Sequence, residues 1–202
     1  MIELPQNKLF IAGEWEEGTG AEITSVFPAD GSVNRVLHGA SVADGERAIE
    51  RAKRAQADPA WRNLKPHERA RFLYAIADGI EANAERIAHI QSRDTGKTLR
   101  ETGALAASAA GTFRYFGAVL ETSDEALTAQ RGDALTMSVH EPLGLIGAIT
   151  PWNSPIASDA QKVAPALAAG NAVLLKPASW SPLVSLELAG IIEASGLPKG
   201  LF

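Results

Sequence analysis

Residues 143–155 read Leu-Gly-Leu-Ile-Gly-Ala-Ile-Thr-Pro-Trp-Asn-Ser-Pro, and residues 170–179 read Gly-Asn-Ala-Val-Leu-Leu-Lys-Pro-Ala-Ser. Each holds a short apolar run bounded by Gly or Pro, which predicts buried strands over 145–150 and 172–175. Between them, residues 156–169 read as a helix ended by Gly170 and Asn171. A second helix follows over 182–195, with Leu183, Leu186, Leu188, Ile191 and Ile192 available for burial and Gly196 as its cap. Residues 197–202 read as a loop entering a third strand. This alternation is the beginning of a parallel α/β sheet. Parallel strands are usually covered on both faces and continue into neighbours, and open edges expose unpaired backbone groups. The expectation is a chain that is part of a longer polypeptide or leans on a partner.

Upstream, Leu9-Phe10-Ile11 leads into Ala12-Gly13-Glu14-Trp15, a hairpin-like turn, and Phe27-Pro28-Ala29-Asp30-Gly31-Ser32 reads as a second turn before an extended 33–37. Ser41 and Asp44 have capping-box spacing, and the helix they open should stop near Asp58-Pro59. Pro66 suits a first helical turn. Ala70, Phe72, Leu73, Ile76, Ile80, Ala84, Ile87 and Ile90 then form one helical stripe, with Gly96 as a plausible cap. A third helix spans 99 to about 120, and its Ala104, Ala106, Ala107, Ala109 and Ala110 predict close packing. Residues 134–139, Ala-Leu-Thr-Met-Ser-Val, look like a strand.

The 202 residues suffice for one domain, or a domain with an appendage, and 46% apolar with 21% charged residues is ordinary for a globular protein. A net charge of −5 argues against nucleic acid as the main partner. No apolar stretch is long enough to predict a membrane span, and the acid and proline at the N-terminus do not suit a signal peptide. With no cysteine there are no disulfides and no Cys-ligated zinc, which fits a cytoplasmic setting. His38, His67, His89 and His140 form no metal-ligand spacing.

Pro151-Trp152-Asn153-Ser154-Pro155 follows the first parallel strand, where ligands collect in open α/β sheets. Asn153 can cap the helix with its side-chain oxygen or point its NH2 at a developing oxyanion. Lys176 ends the second strand. It reads either as a solvated lysine or, in a dinucleotide-binding fold, as a residue facing the adenosine ribose. Lys162, nine residues after Asn153, reads from the sequence as an exposed helix lysine.

The Pro-Trp-Asn and Lys-Pro-Ala passages resemble the aldehyde dehydrogenase superfamily. So do Lys8–Trp15, Phe27–Gly31, Trp61-Arg62 and Asp94-Thr95-Gly96-Lys97, in the right order, so the resemblance covers essentially the whole chain. It implies an α/β fold: an N-terminal helical and β-hairpin region, then the first strands of an incomplete, parallel, Rossmann-like cofactor-binding sheet. By domain, 1–125 is the N-terminal part of the cofactor domain, 126–142 an oligomerisation β-hairpin implying a homo-oligomer, and 143–202 the truncated first β-α-β-α. The resemblance also makes Asn153 the oxyanion donor to the aldehyde and Trp152 structural support at the cofactor's edge. NAD or NADP is bound by Ile149, Thr150, Pro151, Trp152, Lys176, Ala178 and Ser179. Lys162 lies on a proton path, and Ser154, Gln161 and the stretch 101–116 form one wall of the substrate tunnel. Ser179 stands where NAD-preferring members often carry glutamate. A serine can hydrogen-bond a 2′-phosphate that a carboxylate repels, so tolerance of NADP is expected.

The family's nucleophile is a cysteine thiolate, and this chain has none. It also lacks a Gly-x-Thr-x-x-Gly loop and the Glu-Leu-Gly-Gly segment that carries the general base. Full members are more than twice as long. Two hypotheses follow. In the first, the chain is the N-terminal part of an NAD(P)-dependent enzyme that oxidises an aldehyde to a carboxylic acid through a thiohemiacetal and thioester, and is inactive alone. In the second it is a non-catalytic interaction or regulatory module of the same ancestry.

Overall fold

In a computed structural model the described residues are 3–130 and 132–202. Among them the expected architecture is present: two antiparallel hairpins, six longer helices and one short, and a two-stranded parallel sheet.

Strands β1 (Leu9–Ile11) and β2 (Glu14–Glu16) join through Ala12 and Gly13, both at positive φ (55° and 78°). That turn geometry matches the natural twist of paired strands. Strands β3 (Glu22–Val26) and β4 (Val33–His38) form the second hairpin. Helix α1 (Val42–Ala57) starts with the expected capping box: Ser41 Oγ accepts from the Asp44 N–H, and Asp44 Oδ2 accepts from the Ser41 N–H. The short α2 (Pro59–Arg62) buries Trp61, whose Nε1–H donates to the Gly170 carbonyl at 2.8 Å.

The stripe over residues 70–90 proves to be two helices, α3 (Pro66–Ala82) and α4 (Ala84–Thr95), separated at Asn83. Asn83 sits at φ −109°, ψ 15°, outside helical geometry, yet Ile80 before it and Ile87 after it are both buried, so the apolar spacing continues across the break. Helix α5 (Leu99–Thr122) packs against α3, α4 and α6 (Pro155–Ala168). Its Ala106, Ala109, Ala110 and Phe113 are buried, whereas Ala104 and Ala107 face outward. Gly117 admits Tyr74: a Cβ there would lie 2.7 Å from its ring.

Residues 134–139 do not form a strand. An antiparallel bridge links Leu127 and Met137, and Leu135, Met137 and Val139 are exposed. The alternating pattern is real, but among the described residues no sheet lies alongside it to pair with.

Strands β5 (Leu145–Ile149) and β6 (Ala172–Lys176) pair in parallel, from Leu145 opposite Ala172 to Ile149 opposite Lys176. On the other side of β6, the Val173 N–H donates to the Leu201 carbonyl at 2.8 Å. The expected third strand thus begins beside β6 as one backbone bond. Helix α7 (Leu183–Ala194) completes the order.

Helices α6 and α7 both begin in the core, and neither has a side-chain cap from its own N-cap residue. Helix α4 supplies both. Gln91 Oε1 accepts from the Ile156 N–H at 3.1 Å, and Asp94 Oδ2 accepts from the Leu183 and Val184 N–H groups at 2.7 and 3.1 Å. Asp94 Oδ1 accepts from Ser25 Oγ at 3.0 Å. Burial pushes the Asp94 carboxyl up to about 7, against the pull of the Val184 amide, the Ser25 hydroxyl and the Leu183 amide.

Replacing Asp94 by Ala strands two buried N–H groups, so we expect a stability loss of roughly 2–4 kcal/mol. It should appear as a lower urea midpoint at unchanged slope, with Asp94→Asn, which keeps one acceptor, losing less.

Candidate functional site

Parallel pairing puts the carboxyl ends of β5 and β6 on one edge. The pairing extends one residue further, with the Thr150 N–H donating to the Lys176 carbonyl at 3.2 Å. The loop carrying Asn153 and the loop carrying Lys176–Ser179 therefore leave the sheet side by side. The edge is open: Ile149 is 77% exposed, Trp152 59% and Trp180 81%. Exposed apolar groups gathered at a sheet's carboxyl end are what a flat, partly apolar ligand requires.

Asn153 does not cap α6. The N-cap position belongs to Ser154, and Gln91 takes the Ile156 N–H instead. The Asn153 side chain is exposed and makes no hydrogen bond among the described residues, so its amide is free to donate outward. Thr150, three residues earlier, is buried, and its Oγ1–H donates to Asp159 Oδ1 at 2.6 Å. The other Asp159 oxygen accepts from Ser185 Oγ on α7 at 2.5 Å. Burial pushes the Asp159 carboxyl up to about 6, opposed by the Ser185 and Thr150 hydroxyls.

Lys176 is exposed, and its Nζ donates to the Pro177 carbonyl at 3.3 Å. Ala178 opens the turn that follows, its carbonyl accepting from the Ser181 N–H, and Ser179 is exposed on that turn. Pro151 is exposed beside Trp152. Lys162 is exposed on α6, and no hydrogen bond or ion pair among the described residues links it to Asn153 or Lys176. A cleft of about 440 Å³ between α3 and α7, lined by Asp78, Gly79, Glu187 and Ile191 among others, shares no residue with this edge. Among the described residues, no helix is long and apolar enough to cross a membrane, and no three His, Asp or Glu groups gather to hold a metal.

Sequence reasoning missed Gln91 and Asp159. Gln91 acts on the Asn153 loop from 65 residues away and Asp159 from nine, and only their fully buried, polar character marks them. Asp94 fell inside a noticed landmark, but without its role as the cap of α7.

The pattern of the family described as "Aldehyde dehydrogenase family" matches residues 15–202. The chain is similar to betaine aldehyde dehydrogenase 2 of Rhizobium meliloti, 43% identical over 98% of this chain and 41% of that protein. Among solved structures it resembles the aldehyde dehydrogenase KauB from Pseudomonas aeruginosa, with TM-score 0.95, 32% identity and coverage of 98% and 40%. It also resembles a betaine aldehyde dehydrogenase from Staphylococcus aureus solved in complex with NAD+, with TM-score 0.93, 31% identity and coverage of 98% and 40%. The chain therefore spans about two fifths of the length of these relatives.

The Asp159 geometry sets a pH dependence. A carboxyl whose folded pKa is raised stabilises the fold most below its unfolded value, and that contribution is lost as pH rises through the folded value. Between pH 4 and about 6 the folded chain should hold up to about one extra proton at Asp159. Denaturant titrations should show this as a stability falling with rising pH, and Asp159→Asn should remove that part of the slope.

Proposed function

This chain belongs to the aldehyde dehydrogenase family, and we propose that it forms the N-terminal part of an NAD(P)-dependent enzyme oxidising a small-molecule aldehyde to the carboxylic acid. The observation that carries this reading is the backbone pairing of Thr150 with Lys176, which sets the Asn153 loop and the Lys176–Ser179 loop on one open edge.

The residues there fit a dinucleotide. Lys176 and Ser179 are exposed donors suited to the adenosine ribose, Ile149, Pro151, Trp152 and Ala178 line the approach, and Thr150, whose side chain is buried, contributes its backbone. Ser179 presents no charge against a 2′-phosphate, which supports use of NADP as well as NAD. When bound, the dinucleotide supplies the hydride acceptor. Asn153 donates its side-chain N–H to the aldehyde oxygen as that oxygen gains negative charge, which lowers the barrier to attack. Lys162 serves the proton path. The chain has no cysteine, so the nucleophile and the base that activates water belong to the remainder of the enzyme. Residues 126–142 pair with a second subunit in a homo-oligomer, and their exposed apolar positions Leu135, Met137 and Val139 support that role.

In the enzyme that contains this chain, aldehyde-dependent reduction of both NAD and NADP is expected by absorbance at the reduced nicotinamide band. Asn153→Ala should lower kcat by about 10²–10³, as loss of one oxyanion donor does. Ser179→Glu should raise the KM for NADP while leaving that for NAD nearly unchanged. The 202-residue chain alone should show no turnover. Strict NAD selectivity of the unaltered enzyme, or full activity of Asn153→Ala, would overturn the respective assignments.

A further inference from the structure

We propose that Gln91 and Asp159 are positioning residues for Asn153, a role that rests on the oxyanion reading above. Asn153 sits at the middle of a loop that is anchored symmetrically. Three residues before it, the Thr150 hydroxyl donates to Asp159 Oδ1 at 2.6 Å, and three residues after it the Ile156 N–H donates to Gln91 Oε1 at 3.1 Å. Both acceptors are fully buried, and they come from different helices, α6 and α4.

Nothing within the loop replaces them. Ser154 occupies the N-cap of α6 without a side-chain bond to the helix, so the start of α6 is set from outside by Gln91. Pro151 and Pro155 fix their own φ angles and offer no N–H to tie the loop down. Of the intervening residues, Trp152 and Asn153 are exposed. The loop is thus stiff in its backbone and held only at its two ends, with the donor between them. An oxyanion donor works when it is already in place before charge develops, and a shift of about 1 Å can cost a hundredfold in rate.

Gln91 Nε2 is buried and has no hydrogen-bond partner among the described residues. The orientation is dictated, because the Ile156 N–H needs an acceptor and only Oε1 supplies one. Asp159 is likewise buried, with no cation paired to it among the described residues: its oxygens accept from Thr150 and Ser185, so it links the end of β5 to α7 through the helix that begins at the loop.

The test is a set of double-mutant cycles on the complete enzyme. Gln91→Leu should lower kcat about tenfold with the KM for NAD changed less than about twofold, as expected of a displaced donor. Gln91→Glu, which keeps the acceptor, should recover most of that loss. In an Asn153→Ala background, Gln91→Leu should have no further effect on kcat, because coupled residues are not additive. An equal fold-loss in both backgrounds overturns the positioning role. Full activity of Asn153→Ala overturns the oxyanion reading and the proposal with it, whereas a large Asn153→Ala loss with additive Gln91→Leu overturns only the proposal. Thr150→Val, which removes one hydroxyl at constant shape, runs the same cycle on the Asp159 side should Gln91→Leu fail to fold. Hydrogen exchange of the unliganded enzyme gives a readout apart from turnover. Residues 152–156 should exchange faster in Gln91→Leu than in the unaltered enzyme while 172–176 do not change, and equal exchange would count against the clamp.

Discussion

Two helices of this protein start inside it, and their first N–H groups have no water to turn to. The acceptance of those groups by Gln91 and Asp94 is the interaction on which the α/β half depends. The two residues lie three apart on α4, so they share one face of the helix. One turn of α4 thereby fixes where α6 begins and where α7 begins. The paired hydrogen bonds from the Arg86 guanidinium to the Glu187 carboxylate, at 2.6 and 3.0 Å, tie α4 to α7 further along. Because α6 and α7 each leave the end of a parallel strand, fixing their origins also fixes the edge where ligand chemistry gathers.

The helical region and the α/β half are consequently not separable layers. Ser25 on β3 donates to Asp94, which caps α7; Ser185 on α7 donates to Asp159, which holds Thr150 at the end of β5. A continuous buried polar path runs from the second hairpin to the edge of the parallel sheet. Its carboxyl groups have no matching cation among the described residues, and burial raises both. Such a path is expensive to bury, and its members must be satisfied together.

Local rules made much of this legible. Ser41 with Asp44, Pro66 and Gly96 acted within a few residues of themselves, and the structure has a cap, a first turn and a left-handed C-cap there. The strand–helix–strand order around Pro-Trp-Asn and Lys-Pro-Ala was equally plain, because apolar run length and bounding Gly and Pro are local signals. The break at Asn83 was hidden because a single residue leaves helical geometry there while the apolar positions on both sides stay buried. Residues 134–139 misled for the opposite reason: alternation shows that a segment suits a sheet without showing that a sheet is beside it. At the site, Asn153 and Lys176 were visible through their motifs. Gln91 and Asp159 were not, since a buried glutamine on an amphipathic helix carries no mark of the loop it will meet 65 residues later.

That separation has a kinetic meaning. The acceptors on α4 are synthesised 65 and 89 residues before the Ile156 and Leu183 donors. At ribosomal rates of about 5–20 residues per second, the wait is roughly 3 to 18 seconds. Until α6 has been made, the face of α5 that it will cover is bare and both polar groups destined for the interior remain hydrated. The nascent helical region is therefore a waiting platform, open to chaperones until α7 arrives to seal it.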